Sequence, residues 1–365
     1  MKASILSLAC VTPRARVTQQ EAVAFAIDAG RLGGHARTFA ETIYARSGID
    51  SRASCIAGED VLLAQLRASS ERPRGATTSE RMELYARFAG ELAVEAGTNA
   101  LQKAAKLGVR APDITHVVTV SCTGFMAPGI DHALIERLKL APTVRRLHVG
   151  YMGCHGAINA LAAARAIVLS EPSARVLVTC VELCSLHFQV TDRPDRTVAN
   201  ALFADGAAAC VVGACGEREQ PAIAATGSCV APNSSDAMSW RIGDHGFEMS
   251  LSESVPELIR QHLRPWLSAW LDGQGASLNE LVSQGGWAIH PGGPRVLNAV
   301  ADTLGLSTQA MRASRAVLAA HGNMSSPTVL FTLEQLLEVH VAPKEPIVML
   351  AFGPGLSMEA ALLTQ

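Results

Sequence analysis

The chain has 365 residues, of which 48% are hydrophobic and 18% charged, and its formal net charge is −2. That supplies a large core, in one big domain or two packed halves, while leaving nothing to neutralise a phosphate backbone, which argues against nucleic-acid binding. There is no run of about eighteen or more apolar residues, so no membrane span is expected.

At the start, Met1-Lys2 precedes a short apolar run, Ala3 to Cys10, that ends at a cysteine. It has the outline of a bacterial lipoprotein signal, but the apolar stretch is short and the basic start is a single lysine. A buried first strand ending at Thr12-Pro13 accounts for the same residues and implies a cytoplasmic protein. The nine cysteines, at 10, 55, 122, 154, 180, 184, 210, 215 and 229, are odd in number and scattered, several of them inside apolar runs. They form neither a disulfide framework nor a paired CxxC metal site. They are read as small buried hydrophobes in a reducing compartment, where a free thiol can serve as a nucleophile. No histidine or carboxylate cluster has ligand spacing, so no metal is expected.

Arg67 to Arg81, rich in Ser, Arg, Pro and Gly, is expected as an exposed loop. A helix follows from Ser79 to Lys106, then a β-branched strand from Thr115 to Cys122. Cys154 to Ser170 is Ala-rich and helical, stopped by Glu171-Pro172. Ala174 to Leu183 and Ala207 to Gly213 are continuous apolar strands of the kind covered on both faces in layered α/β proteins. After the polar stretch Gly216 to Pro221 come a helix over Val255 to Leu271, a strand at Trp287 to Ile289 and helices from Pro294, Ser307 and Pro327. Strands at Ile347 to Phe352 and Leu356 to Leu363 close the chain. Phe203-Ala204-Asp205-Gly206 and Phe352-Gly353-Pro354-Gly355 each precede a strand late in one half, which suggests an internal duplication.

Three residues can do chemistry. Cys154 follows a glycine and opens a helix; an ordinary cysteine is only ~3% thiolate at pH 7, and a helix N-terminus or a histidinium would raise that fraction. His290 ends an apolar strand and is followed by Gly292 and Gly293, which let a ligand pass close to the backbone. Asn323, in His321-Gly322-Asn323-Met324-Ser325-Ser326-Pro327, is either a turn residue or a donor to a developing oxyanion. Each has a structural reading of its own, and only the set is specific.

In this order and context, the blocks GCHGAINAL, ALFADGAAA, WAIHPGGP, HGNMSSPT and FGPGLSMEA resemble the chalcone-synthase-like type III polyketide synthases over essentially the whole chain. The resemblance implies a five-layered αβαβα thiolase fold of two duplicated halves, 1–215 with the cysteine and 222–365 with the histidine and asparagine, in a homodimer. It implies an acyl-CoA starter held on Cys154, kept reactive by an ion pair with His290. His290 and Asn323 would stabilise the enolate formed as malonyl-CoA loses carbon dioxide, with coenzyme A thioesters as substrates and no separate cofactor. Phe203 matches the family's aromatic gate. Gly292 and Gly293 match its pantetheine-contacting backbone with Ser325 near it, and Arg46 and Arg52 match a basic segment facing the CoA phosphates.

The departures concern the substrate. Met249 stands where the family has a second gatekeeping phenylalanine. Cys122 and His187 replace threonines, and Ala127 replaces the methionine that crosses into the partner's cavity. VSCTGF and CVELCSLHF look like bacterial synthases that extend fatty acyl-CoA starters into alkylpyrones or alkylresorcinols. The alternatives are a ketoacyl-acyl carrier protein synthase III, with one condensation, and a catalytically silent thiolase-fold binding partner. A thiolase would need a second catalytic cysteine, and none follows Cys229.

Overall fold

The computed structural model describes residues 2–58, 73–215, 220–339 and 345–364. Its strands are β1 (Lys2–Val11), β2 (Arg16–Thr18), β3 (Ser51–Ala53), β4 (His116–Ser121), β5 (Arg145–Gly150), β6 (Arg175–Leu183), β7 (Asp205–Cys215), β8 (Ala222–Val230), β9 (Met238–Gly243), β10 (Gly246–Leu251), β11 (Gly286–Ile289), β12 (Ile347–Gly353) and β13 (Ser357–Thr364). Nine of them pair in the order β11-β12-β13-β8-β1-β7-β6-β4-β5. The run divides at its middle. β1 and β8 share one register pair, Ser4 with Ala222, backed by the Ile5 amide on the Pro221 carbonyl. On either side the pattern repeats: β4 is parallel to β6, which is antiparallel to β7, as β11 is parallel to β12, which is antiparallel to β13. The chain is thus built from two duplicated halves.

Strict alternation explains how both faces are covered. On β6, Val176, Val178 and Cys180 face the central apolar layer, while Leu177, Val181 and Leu183 face an outer one. On β12, Ile347, Met349 and Ala351 face the same centre, and Val348, Leu350 and Phe352 the opposite outer layer. Helices Gly156–Ser170 and Thr328–Val339 fill the centre and touch strands of both half-sheets. Helix Thr78–Ala105 covers one outside, and helices Val255–Asp272 and Pro294–Leu304 the other. The result is the five-layered α/β arrangement. Each fully buried Val, Leu or Ile contributes roughly 1.5–3 kcal/mol of transfer free energy, so a strand apolar on both faces is held mainly by these layers.

Two expectations change in detail. Helix Thr78–Ala105 starts inside the segment read as a loop, because Thr77 and Glu80 form a reciprocal capping box. Arg81 is therefore a helical residue, fully buried, with its guanidinium on the carbonyls of Ala76, Leu186 and Phe188; the loop residues 67–72 lie outside the described residues. The helix placed from Ser307 begins at Arg312. Of the polar stretch between the halves, 216–219 also lie outside the described residues.

Candidate active site

Cys154 sits in a single 3-10 turn, Gly153–His155, leading into helix Gly156–Ser170. The approach is tight: Gly153 has φ +69°, and a Cβ there would stand 2.6 Å from Pro354. Gly156 packs directly on Val120, where a Cβ would come within 2.7 Å. Glycine on each side of the Cys154-His155 pair thus lets the turn lie against the loop after β12 and the end of β4.

Asn323 comes from the other half. Its amide nitrogen donates to Leu202 and its carbonyl accepts from Ala204, a bridge that ties it to Phe203. Its Oδ1 accepts the Ser325 amide at 2.8 Å and lies 3.9 Å from the Cys154 thiol. That fixes the carboxamide, leaving Nδ2 with a long 3.4 Å contact to the Gly292 carbonyl. A contact of that length is weak, so the N–H is free to turn to a better acceptor. His290 follows β11 and is buried beside Gly292, with neither ring nitrogen hydrogen-bonded among the described residues. Asn323 therefore links Cys154 to the Gly292 turn that flanks His290.

Burial pushes the Cys154 thiol up to about 11, against the smaller effect of the Ser325 hydroxyl, and pushes the His290 imidazole down to about 3, helped by His155. Each charge alone is disfavoured here.

A narrow pocket joins Cys154 to Cys122, Cys184, Phe203, Met249 and Ser325. Cys122 gives its thiol to Glu182 at 3.3 Å and lies 3.7 Å from the Ser325 hydroxyl. Phe203, Met249, Cys184 and Trp240 also line a second cavity of about 440 Å³, mostly apolar, that runs past Phe25, Tyr44, Ile56 and Phe188. Phe203 and Met249 thus stand where the two spaces meet. His187 lines the larger one and is fixed: Nε2 donates to the Thr123 carbonyl at 2.6 Å, Nδ1 accepts the Phe247 amide at 2.9 Å, and the ring stacks on Phe247 at 4.3 Å. Its imidazole, pushed down to about 3 by burial, is a neutral wall.

Other expected residues are placed differently. Arg52 does not face solvent; it is buried over the Tyr44 ring and gives Nη1 to the carbonyls of Asn200 and Phe203, both at 2.7 Å. It clasps the gate rather than presenting a charge outward. Ser325, with φ +60°, lies inside the Cys154 pocket instead of along its approach. Arg46 is exposed after helix Gly34–Ala45. Gly293, at φ +151°, caps helix Pro294–Leu304. Ala127 is exposed, in a loop with a cis peptide to Pro128, and lines neither space.

Two residues at or just behind the pocket wall escape a reading by motif. Glu182 is fully buried with no cation beside it, and its carboxylate accepts from the Cys122 amide, Thr123 and Ser326. A glutamate amid Val181 and Leu183, on a strand with both faces covered, was the available signal. Trp240 gives its indole N–H to the Cys122 carbonyl at 2.7 Å and its ring meets His187 edge-on at 5.4 Å. The polar neighbours of Trp240 hid the hairpin it belongs to.

Chalcone and stilbene synthases match the chain in two parts: their N-terminal domain at residues 1–216 and their C-terminal domain at 223–365. An alpha-pyrone synthesis polyketide synthase-like protein of Mycobacterium tuberculosis, Pks18, is 34% identical over 99% of this chain and 90% of its own. A 1,3,6,8-tetrahydroxynaphthalene synthase of Streptomyces peucetius is 38% identical over 74% of this chain and 72% of its own. Among solved structures, PKS-I from the brown alga Ectocarpus siliculosus superposes with a TM-score of 0.89 at 28% identity, covering 100% of this chain and 98% of that one.

Proposed function

The chain belongs to the chalcone and stilbene synthase family and is a type III polyketide synthase, an acyltransferase that condenses acyl units; from that premise we propose that Cys154, His290 and Asn323 carry the reaction on a fatty acyl-CoA starter. The Cys154 thiolate, its proton on His290, attacks the starter thioester and expels the CoA thiolate, which takes that proton. Malonyl-CoA then loses carbon dioxide, and the electron pair left behind is held as an enolate by His290 and the Asn323 Nδ2–H. The enolate carbon attacks the Cys154 thioester, releasing the thiolate and a β-ketoacyl-CoA two carbons longer. Covalent attachment divides the condensation into two easier steps, and the donors act only where charge develops. The scheme consumes CoA thioesters and calls on no metal or separate cofactor.

The observation that carries the starter assignment is the apolar cavity of about 440 Å³ that meets the Cys154 pocket at Phe203 and Met249. An alkyl chain satisfies such a lining, whereas a polar starter would leave groups unpaired. Trp240 and His187 stand in the wall of that cavity and narrow the room for a bulky ring. An alkylpyrone or alkylresorcinol follows as product class, in keeping with the alpha-pyrone relative. Arg46, Gly292 and Gly293 are our candidates for the CoA approach. No helix among the described residues is long and apolar enough to cross a membrane, and we place the enzyme in the cytoplasm. A homodimer is proposed across the edge strand β5, whose Leu147 is exposed together with Phe125, Tyr151 and Met152.

Mass spectrometry of products from purified enzyme, malonyl-CoA and a panel of acyl-CoA starters tests the assignment, with Cys154→Ala as control. Alkylpyrones or alkylresorcinols that vanish in the variant support it. Turnover of aromatic or malonyl starters alone would overturn the fatty acyl assignment, and a single condensation with malonyl-acyl carrier protein would overturn the use of CoA extenders.

A further inference from the structure

The two gate residues sit on different elements. Phe203 follows helix Pro194–Leu202, and Met249 lies on β10. On the inner side these elements are tied indirectly. Phe247 holds the His187 ring through its amide, and Asn200 exchanges two hydrogen bonds with Gln189, so both connections run through the turn at 187–189. On the solvent side the tie is direct. Arg196, two turns before Phe203, gives Nη2 to Glu248 Oε2 at 2.5 Å, and Glu248 is the neighbour of Met249. The other carboxylate oxygen takes Arg74 at 3.1 Å. Arg196 itself lines the large cavity, and its side chain is only 16% exposed.

We propose that the Arg196–Glu248 ion pair is a latch between the helix and β10 that sets the width of the passage at Phe203 and Met249, and thereby the acyl chain length accepted. The proposal rests on the acyl-starter reading above. A fully exposed pair would contribute little and be screened, but Arg196 is shielded: removing Glu248 leaves the Arg196 charge partly desolvated, removing Arg196 leaves Glu248 only its outer partner Arg74, and either change frees the two elements to move apart. The passage then widens, and long chains gain over short ones.

The test uses the full-length enzyme and intact-protein mass spectrometry, reading rates of Cys154 acylation by butyryl-CoA and by palmitoyl-CoA. Glu248→Gln and Arg196→Gln should each raise the palmitoyl-to-butyryl rate ratio by about 5-fold or more. The double variant should go no further than either single one, because both break the same link. Arg74→Gln removes the outer partner alone and should leave the ratio within about twofold, at an unchanged melting temperature. Equal changes for both chain lengths, additive single effects, or an Arg74→Gln shift as large as that of Arg196→Gln would overturn the latch while leaving the starter assignment standing. If wild type is acylated by neither thioester, the starter assignment itself falls and the latch with it.

Discussion

Phe203 and Asn323 are joined through the backbone: the Asn323 amide donates to the Leu202 carbonyl at 2.9 Å, and the Ala204 amide to the Asn323 carbonyl at 2.8 Å. The proposed gate and the carboxamide proposed to stabilise the enolate are therefore one unit across the two halves. Arg52 clamps the same unit from behind, through the Phe203 carbonyl.

Asn323→Ala should lower malonyl-CoA decarboxylation by about 10²–10³-fold, the usual cost of one oxyanion donor. Acylation of Cys154 should fall far less, since the thiolate is maintained elsewhere. Carbon dioxide release and intact mass, measured on the same sample, separate the two steps.

If His290 takes the Cys154 proton, iodoacetamide should alkylate Cys154 at a rate that is already level at pH 7. In His290→Gln the thiol keeps the raised value near 11 that burial gives it. Thiolate is then the minor form at neutral pH, and alkylation should be at least about 100-fold slower at pH 7 and climb steadily towards pH 10. A flat profile in the variant would exclude the ion pair.

Trp240→Ala removes the donor to the Cys122 carbonyl and the edge against His187. The pocket floor opens, so products should shift towards one or more additional malonyl extensions, read by mass spectrometry. Stability should fall by about 2 kcal/mol, less than for a fully buried tryptophan because the ring is half-exposed.

Among the histidines that burial lowers, His187 and His290 fall to about 3 and His321 to about 4. The unfolded chain, with these groups near 6.5, binds their protons first. Stability from them is complete above pH 6.5 and is lost as pH falls below it, by up to about 1.4 kcal/mol per unit for each histidine. The raised carboxyls of Glu182 and Asp205 act in the opposite sense, adding stability as pH falls towards their ordinary range near 4 and so offsetting part of that loss. His187→Phe should therefore lose less melting temperature than wild type between pH 7.5 and 5, the difference in slope amounting to one proton.

How much was legible depended on whether burial showed in local composition. The runs at 115–122, 174–183 and 347–352 are apolar on both strand faces and gave strands within a residue or two of those observed. Glycines and strand ends marked the turns that carry Cys154, His290 and Asn323, and the structure sets Asn323 between the Cys154 thiol and the Gly292 turn. Charge misled the reading of Arg52 and Arg81, since a guanidinium buried on backbone carbonyls looks in sequence like one in water. The β9–β10 hairpin, with Trp240 and Glu248, is short and half-exposed, so neither periodicity nor apolarity announced it.

The single register pair between Ser4 and Ala222 leaves the two half-sheets sharing very little backbone. What unites them is the helical layer they grip, and the groups proposed to react lie along that same seam, the Cys154 thiol on one bank and the Asn323 carboxamide on the other. Neither half alone holds both the thiol and the carboxamide. A chain cut between the halves would report its reassembly through turnover, making activity a direct gauge of docking.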